Sequence, residues 1–168
     1  MLISKQMGAR LSEQFINELG ASHNYLSMAC ELDSMGLKIF AKRFFEQADE
    51  ERIHALKIAR YLLDVGATVE SDAIPAPKTR YGTASSIVDA ALKSELTVTK
   101  QINDLVAFSE KEKDYATRSF LQWFVDEQVE EVATMTELQQ LVSMAGEKNL
   151  FQVEERLLHM SAESSKKK

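Results

Sequence analysis

The sequence predicts an all-α protein: four long helices forming a bundle with one long crossover connection, followed by a short fifth helix. Three observations predict it. Apolar residues recur at three- and four-residue spacing along four long segments. The only two prolines, Pro75 and Pro77, sit together in a stretch that lacks this period. Gly36, Gly66 and Gly146 close periodic segments, as glycines past helix C-termini do.

The first helix is predicted over about residues 7–34, with an apolar stripe at Leu11, Phe15, Tyr25, Ala29 and Leu32. The second, about 37–65, carries Phe40, Phe44, Ala48, Ala55, Ile58, Leu62 and Val65. The third, about 86–110, carries Val88, Ala91, Val98, Ile102 and Leu105, and Ser86 with Asp89 resembles a capping box at its start. The fourth, about 115–145, carries Leu121, Phe124, Met135, Leu138 and Val142. A fifth helix over about 148–160 repeats Leu150, Val153, Leu157 and Met160. Four helices already close a core, so this last stripe is expected to face another subunit. The tail "SAESSKKK", residues 161–168, reads as frayed. The whole chain, 1–168, reads as one domain.

Connection lengths set the topology. "SMG" and "KEKD" make the first and second helices, and the third and fourth, antiparallel neighbours. Between the second and third lies a segment of about 20 residues, long for a structureless loop. A helix of about 28 residues is about 42 Å long. Twenty extended residues reach about 66 Å. The segment can therefore run the length of the bundle and start the third helix parallel to the second.

Composition narrows the function. Charged residues make up 27% and hydrophobic ones 45%, an ordinary globular balance. A net charge of −6 argues against a nucleic-acid partner. One cysteine, Cys30, excludes a disulfide framework and a CxxC metal site, and fits a reducing, cytoplasmic setting. "MLISKQMGAR" lacks the apolar core of a signal peptide, and no run is long enough to span a membrane.

Each stripe is interrupted by polar groups: Glu18 in the first helix, Glu51 and His54 in the second, Glu95 in the third, Gln128 and Glu131 in the fourth. Glu18 and Glu51 are 33 positions apart, as are Glu95 and Gln128. Glu51-x-x-His54 is answered by Gln128-x-x-Glu131, and this spacing puts both members of each pair on one helix face. The two hairpins read as imperfect copies that place their polar groups at one height. Buried carboxylates at one level repel each other and cost several kcal/mol apiece unless a cation compensates. No Lys or Arg falls on those inward faces at that height. A pair of divalent ions would compensate, and a carboxylate set with one imidazole favours iron or manganese over zinc. A Glu from each of two helices plus Glu-x-x-His from the others is the di-iron carboxylate pattern. Here one Glu-x-x-His is complete and the second is altered. Glu46, Asp49, Glu110, Glu112 and Glu137 read as solvated surface.

These residues, with "EERIHALKI", "KSELTVTKQINDLV" and "FLQWFVDEQVEE", resemble the non-haem ferritins of bacteria and archaea over nearly the whole chain. The resemblance implies the ferritin-like fold. It implies a first iron site at Glu18, Glu51 and His54, and a second at the bridging Glu51 with Glu95 and Glu131. Gln128 and Tyr25 match positions beside that centre, and Glu50, Glu127 and Glu130 match a third iron site. It further implies a ferroxidase that takes Fe²⁺ and O₂ or H₂O₂ and stores ferric mineral inside a 24-subunit homo-oligomeric cage. Departures carry information too. Val129 stands where some bacterial relatives have a histidine. Arg52 replaces the haem-ligating methionine of bacterioferritins, so no haem is expected. Arg118 and Leu121 fall where animal ferritins place the paired acids of their three-fold channels. The single cysteine excludes the rubredoxin-like module of rubrerythrins. Two rival readings remain: a di-iron oxidase or peroxidase without mineral storage, and a structural bundle whose core acids are neutral and metal-free.

Overall fold

The computed structural model describes residues 2–165 and the side chains of residues 2–159. Its long helices are α1 (Lys5–Ser34), α2 (Lys38–Asp64), α3 (Ala84–Glu112) and α4 (Tyr115–Ala145). A 3₁₀ turn (Glu147–Asn149) then leads into α5 (Leu150–Ser165). None of the described helices is long and apolar enough to cross a membrane.

Local chemistry sets the helix ends. Ser4, Thr83 and Asp114 are N-caps whose side chains accept from the backbone N–H of Met7, Ser86 and Thr117. The cap of α3 is therefore Thr83, three residues before the expected Ser86–Asp89 box, and Ser86 instead supplies the N–H that Thr83 accepts at 3.1 Å. Gly36, Gly66 and Gly146 take positive φ past the ends of α1, α2 and α4, where a Cβ would be strained. Lys113 makes the same left-handed turn after α3, at φ 57°.

The crossover lies along α1, and hydrogen bonds trace its course. Ser12 Oγ accepts from Glu70 N at 3.1 Å. Ser27 Oγ donates to Lys78 O at 2.8 Å. The buried Glu31 carboxylate accepts from Tyr81 N and Gly82 N at 2.8 and 3.0 Å. The segment thus travels from the start of α1 to its end and delivers α3 beside the start of α2, parallel to it. This is the ferritin-like arrangement.

Every residue of the four predicted stripes is buried except Phe15, which is half-buried. The core divides into two clusters. One joins Tyr25, Phe40, Phe44, Val88, Met135 and Leu138. The other joins Met7, Leu11, Ile58, Ile102, Leu121 and Phe124. The inward polar residues lie between them.

The fifth helix overturns two expectations. Leu150, Val153 and Leu157 pack into the first core cluster of their own subunit rather than waiting for a neighbour. Glu154 adds a polar tie: its Oε1 accepts from Ile39 N and Phe40 N at 2.7 and 3.3 Å. It caps α2, whose own N-cap residue, Leu37, has no side-chain acceptor. The helix also continues to Ser165 instead of fraying from residue 161, because no Gly or Pro follows Leu150 to stop it. The side chain of Met160 and the tail beyond Ser165 lie outside the described residues.

Candidate metal centre

The inward polar residues meet at mid-height. Glu18, Tyr25, Glu51, His54, Glu95, Gln128 and Glu131 are all buried, with Glu18 fully so. Ligand-competent atoms of Glu18, Glu51 and His54 lie within 4.8 Å of one another. Glu51 and His54 share a face of α2 one turn apart, and Glu51 Oε2 comes to 3.4 Å of His54 Nδ1 without hydrogen-bond alignment. Glu18 Oε2 and Glu51 Oε2 are buried acceptors with no hydrogen bond among the described residues.

Amides and a phenol hold the other oxygens. Gln14 Nε2 donates to Glu18 Oε1 at 2.8 Å. Gln47 Nε2 donates to Glu131 Oε2 at 2.8 Å and more loosely to Glu51 Oε1 at 3.4 Å. Tyr25 donates a very short hydrogen bond to Glu95 Oε1. Gln128 Nε2 reaches Glu95 Oε2 at 3.3 Å, and also the Glu95 carbonyl and Thr99 Oγ1. His54 is wedged edge-on against Trp123 and Phe124, with ring centroids at 5.3 and 6.1 Å.

Sequence reading missed Gln14 and Gln47. The signal was present: each lies four residues before its glutamate, so Gln14 and Gln47 are themselves 33 positions apart. The hairpin repeat that points to Glu18 and Glu51 also contains their amide partners. Glutamine, however, is so often a surface residue that it drew no notice.

The electrostatics are those of a site lacking its counter-charge. Burial pushes the Glu18 carboxyl well up, and the neighbouring Glu51 carboxylate adds to it. Burial, then the charge of Glu95, raise Glu51 to about 8. Burial raises Glu131 to about 7, opposed by the bond from Gln47. Glu95 rises through burial, held back by Tyr25 and Gln128. Burial and the adjacent Glu95 charge raise the Tyr25 phenol. Among the described residues no Lys or Arg pairs with these carboxylates. Hard anionic oxygens, one imidazole and missing positive charge are the donor set of a divalent-cation site.

The three outer acids separate. Glu127 is half-buried and forms a second group with His54 and Glu131, again within 4.8 Å. Glu50 is exposed but near Glu127 and His54, whose charges act on it in opposite senses. Glu130 is exposed and belongs to neither group of metal-competent side chains. Glu46, Asp49, Glu110, Glu112 and Glu137 are on the surface, as expected.

Comparison with known proteins identifies the family. The family described as "Ferritin-like domain" matches residues 8–145. A bacterial non-heme ferritin of Staphylococcus haemolyticus is 41% identical over 133 residues, 79% of this chain and 80% of the relative. One from Staphylococcus aureus is 37% identical over 158 residues, 94% of this chain and 95% of the relative. An open pore ferritin from the hyperthermophilic archaeon Archaeoglobus fulgidus superposes with a TM-score of 0.90 at 34% identity, covering 93% of this chain and 96% of that one. By fold, by the family match and by these relatives, the chain belongs to the ferritin family.

Proposed function

We propose that this protein is a cytoplasmic iron-storage protein with ferroxidase activity, in which Fe²⁺ is the substrate of the buried carboxylate site and ferric mineral is kept inside a cage. The observation that carries the reading is the buried carboxylate oxygens of Glu18 and Glu51, within 4.8 Å of each other and of His54, with no Lys or Arg paired to them among the described residues. Such oxygens are costly unless a cation takes them up.

Glu18, Glu51 and His54 bind the first Fe²⁺, and Glu51 bridges to a second held with Glu95 and Glu131. The carboxylates release their protons as iron arrives, since only the ionised form is a ligand. Each Fe²⁺ gives up one electron. O₂ accepts the two electrons with two protons and leaves as H₂O₂, or H₂O₂ itself accepts two electrons and two protons and leaves as water. Tyr25 and Gln128 hold Glu95 in place through this change of charge. Glu127, with Glu50 and Glu130 outside it, receives iron leaving the centre. Two Fe²⁺ per subunit fill the centre, and the outer acids offer a third, weaker position.

The test is particle mass by light scattering before and after aerobic iron loading. Twenty-four copies of an 18.9 kDa chain give a cage of roughly 450 kDa. A particle of that size that gains hundreds of ferric ions per cage supports the reading. A small particle that oxidises iron and retains none replaces it with a di-iron oxidase without storage.

A further inference from the structure

We infer that Tyr61 is a remote one-electron donor to the iron centre, reaching it through the rings of Phe120, Phe124 and Trp123 and passing its phenolic proton toward Asp114, an assignment that rests on the di-iron reading above.

A row of rings leads out from the centre. His54, a ligand of the first iron in that reading, meets Trp123 and Phe124 edge-on at 5.3 and 6.1 Å. Trp123 meets Phe124 at 4.9 Å, and Phe124 meets Phe120 at 5.5 Å. Phe120 lies flat on Tyr61, with centroids 3.9 Å apart and planes 6° apart. Every step is a direct ring contact. Tyr61 follows His54 on α2 by two turns, about 10 Å along the axis, and is half-buried, so Fe²⁺ in solution can approach it.

The phenol at the outer end has a directed path for its proton. Thr117 has one hydroxyl proton and donates it to Asp114 Oδ2 at 2.5 Å. In the 2.9 Å contact between Tyr61 and Thr117 Oγ1 the phenol is therefore the donor. Burial, then the charge of Asp114, raise the Tyr61 phenol against the bond to Thr117, so it keeps its proton until an electron leaves.

Charges at the two ends give the row a direction. Lys57 Nζ sits 4.0 Å over the Trp123 ring, and a cation on that face opposes loss of an electron from the indole. The Asp114 carboxylate, at the other end, favours loss of an electron and a proton from Tyr61. The phenylalanines are harder to oxidise than either and serve as contact between them. An oxidising equivalent that leaves the centre thus passes Trp123 and comes to rest on Tyr61.

Such a donor has a use when H₂O₂ meets a centre holding a single Fe²⁺. The peroxide needs two electrons to become water, and one iron supplies one. With Tyr61 as the second donor, Fe²⁺, the phenol, H₂O₂ and one proton give Fe³⁺, the phenoxyl radical and two waters. The O–O bond breaks, both oxygens leave as water, and no hydroxyl radical escapes. A further Fe²⁺ with one proton then restores the phenol and becomes Fe³⁺, so iron supplies both electrons in the end.

The experiment loads apo-protein anaerobically with one Fe²⁺ per subunit, mixes it with H₂O₂, and reads freeze-quenched samples by electron paramagnetic resonance. The parent forms a tyrosyl radical that a second addition of Fe²⁺ removes. Tyr61→Phe, which keeps the stacked ring, lacks the radical and releases more hydroxyl radical to a spin trap. Phe120→Leu and Trp123→Leu, which keep the phenol but break the row, lack it too, whereas Tyr25→Phe retains it. A signal unchanged in Tyr61→Phe, or lost only in Tyr25→Phe, overturns the inference. So does a signal that survives both breaks in the row, or a parent that oxidises its iron and forms no radical. A parent whose Fe²⁺ neither binds nor reacts with H₂O₂ overturns the di-iron reading instead.

Discussion

Glu51→Gln should stabilise the metal-free protein at neutral pH while destroying its central metal ligand. Burial and the charges of Glu95 and Glu131 make an ionised Glu51 costly in the metal-free protein. The alternative is to keep a proton on Glu51. Its folded value of about 8 stands against about 4.3 for a solvated glutamate, so holding that proton at pH 7 costs on the order of 4 kcal/mol. Either way Glu51 costs the apo-protein a few kcal/mol. A neutral amide of the same shape removes that cost and can still accept from Gln47. Because the folded value is raised, the folded state binds the extra proton. Its contribution is complete below about pH 4.3 and is lost as pH rises toward 8. The parent should therefore lose stability across that window, and the advantage of Glu51→Gln should grow from about 1 kcal/mol at pH 5 to about 4 kcal/mol at pH 7. For a chain of 168 residues this is a rise in Tm on the order of 10 °C at pH 7. Calorimetry of iron-free parent and variant at pH 5, 6, 7 and 8 measures it. A variant no more stable than the parent at pH 7, or an advantage that does not grow with pH, refutes the claim that Glu51 is held at a cost for metal binding.

Three further outcomes are expected. Glu154→Ala removes the acceptor for Ile39 N and Phe40 N and should destabilise the fold by about 1–3 kcal/mol, read by thermal unfolding; no change would show that water caps α2 equally well. Glu31→Ala orphans Tyr81 N and Gly82 N, so hydrogen exchange at these two amides should accelerate at least tenfold while α4 amides are unchanged. Among the outer acids, Glu127→Ala should slow repeated iron additions more than Glu130→Ala, because Glu127 alone joins His54 and Glu131. Equal slowing in multi-turnover assays would show that Glu130 serves the outer position as fully as Glu127.

The fold was legible in the sequence because its determinants are periodic and local. Stripes at helical spacing, the glycine stops and the paired prolines locate four helices, and the length of the crossover allows one economical topology. The burial of the inward polar residues was legible for a related reason: the 33-residue repeat displays polar interruptions at matching places, so Glu18, Glu51, His54, Glu95, Gln128 and Glu131 stand out against apolar stripes. What escaped were contacts between residues far apart in the chain. Glu154 and Phe40 are 114 positions apart, and nothing local indicates that α5 folds back to cap α2. Glu31 reads as one more acid on a charged helix until the crossover is laid over it. The α3 cap was misplaced by three residues because Ser86 and Asp89 satisfy the same spacing rule as Thr83 and Ser86.

The most direct test of the di-iron reading is rapid mixing of apo-protein with stepped Fe²⁺ in air-saturated buffer, comparing the parent with Glu51→Ala. In the proposed centre Glu51 is the ligand that would bridge both ions, and alanine preserves the helix. The parent should show a fast oxidation phase whose amplitude saturates at two Fe²⁺ per subunit, and Glu51→Ala should lack it. A fast phase of equal rate and amplitude in Glu51→Ala would contradict the assignment.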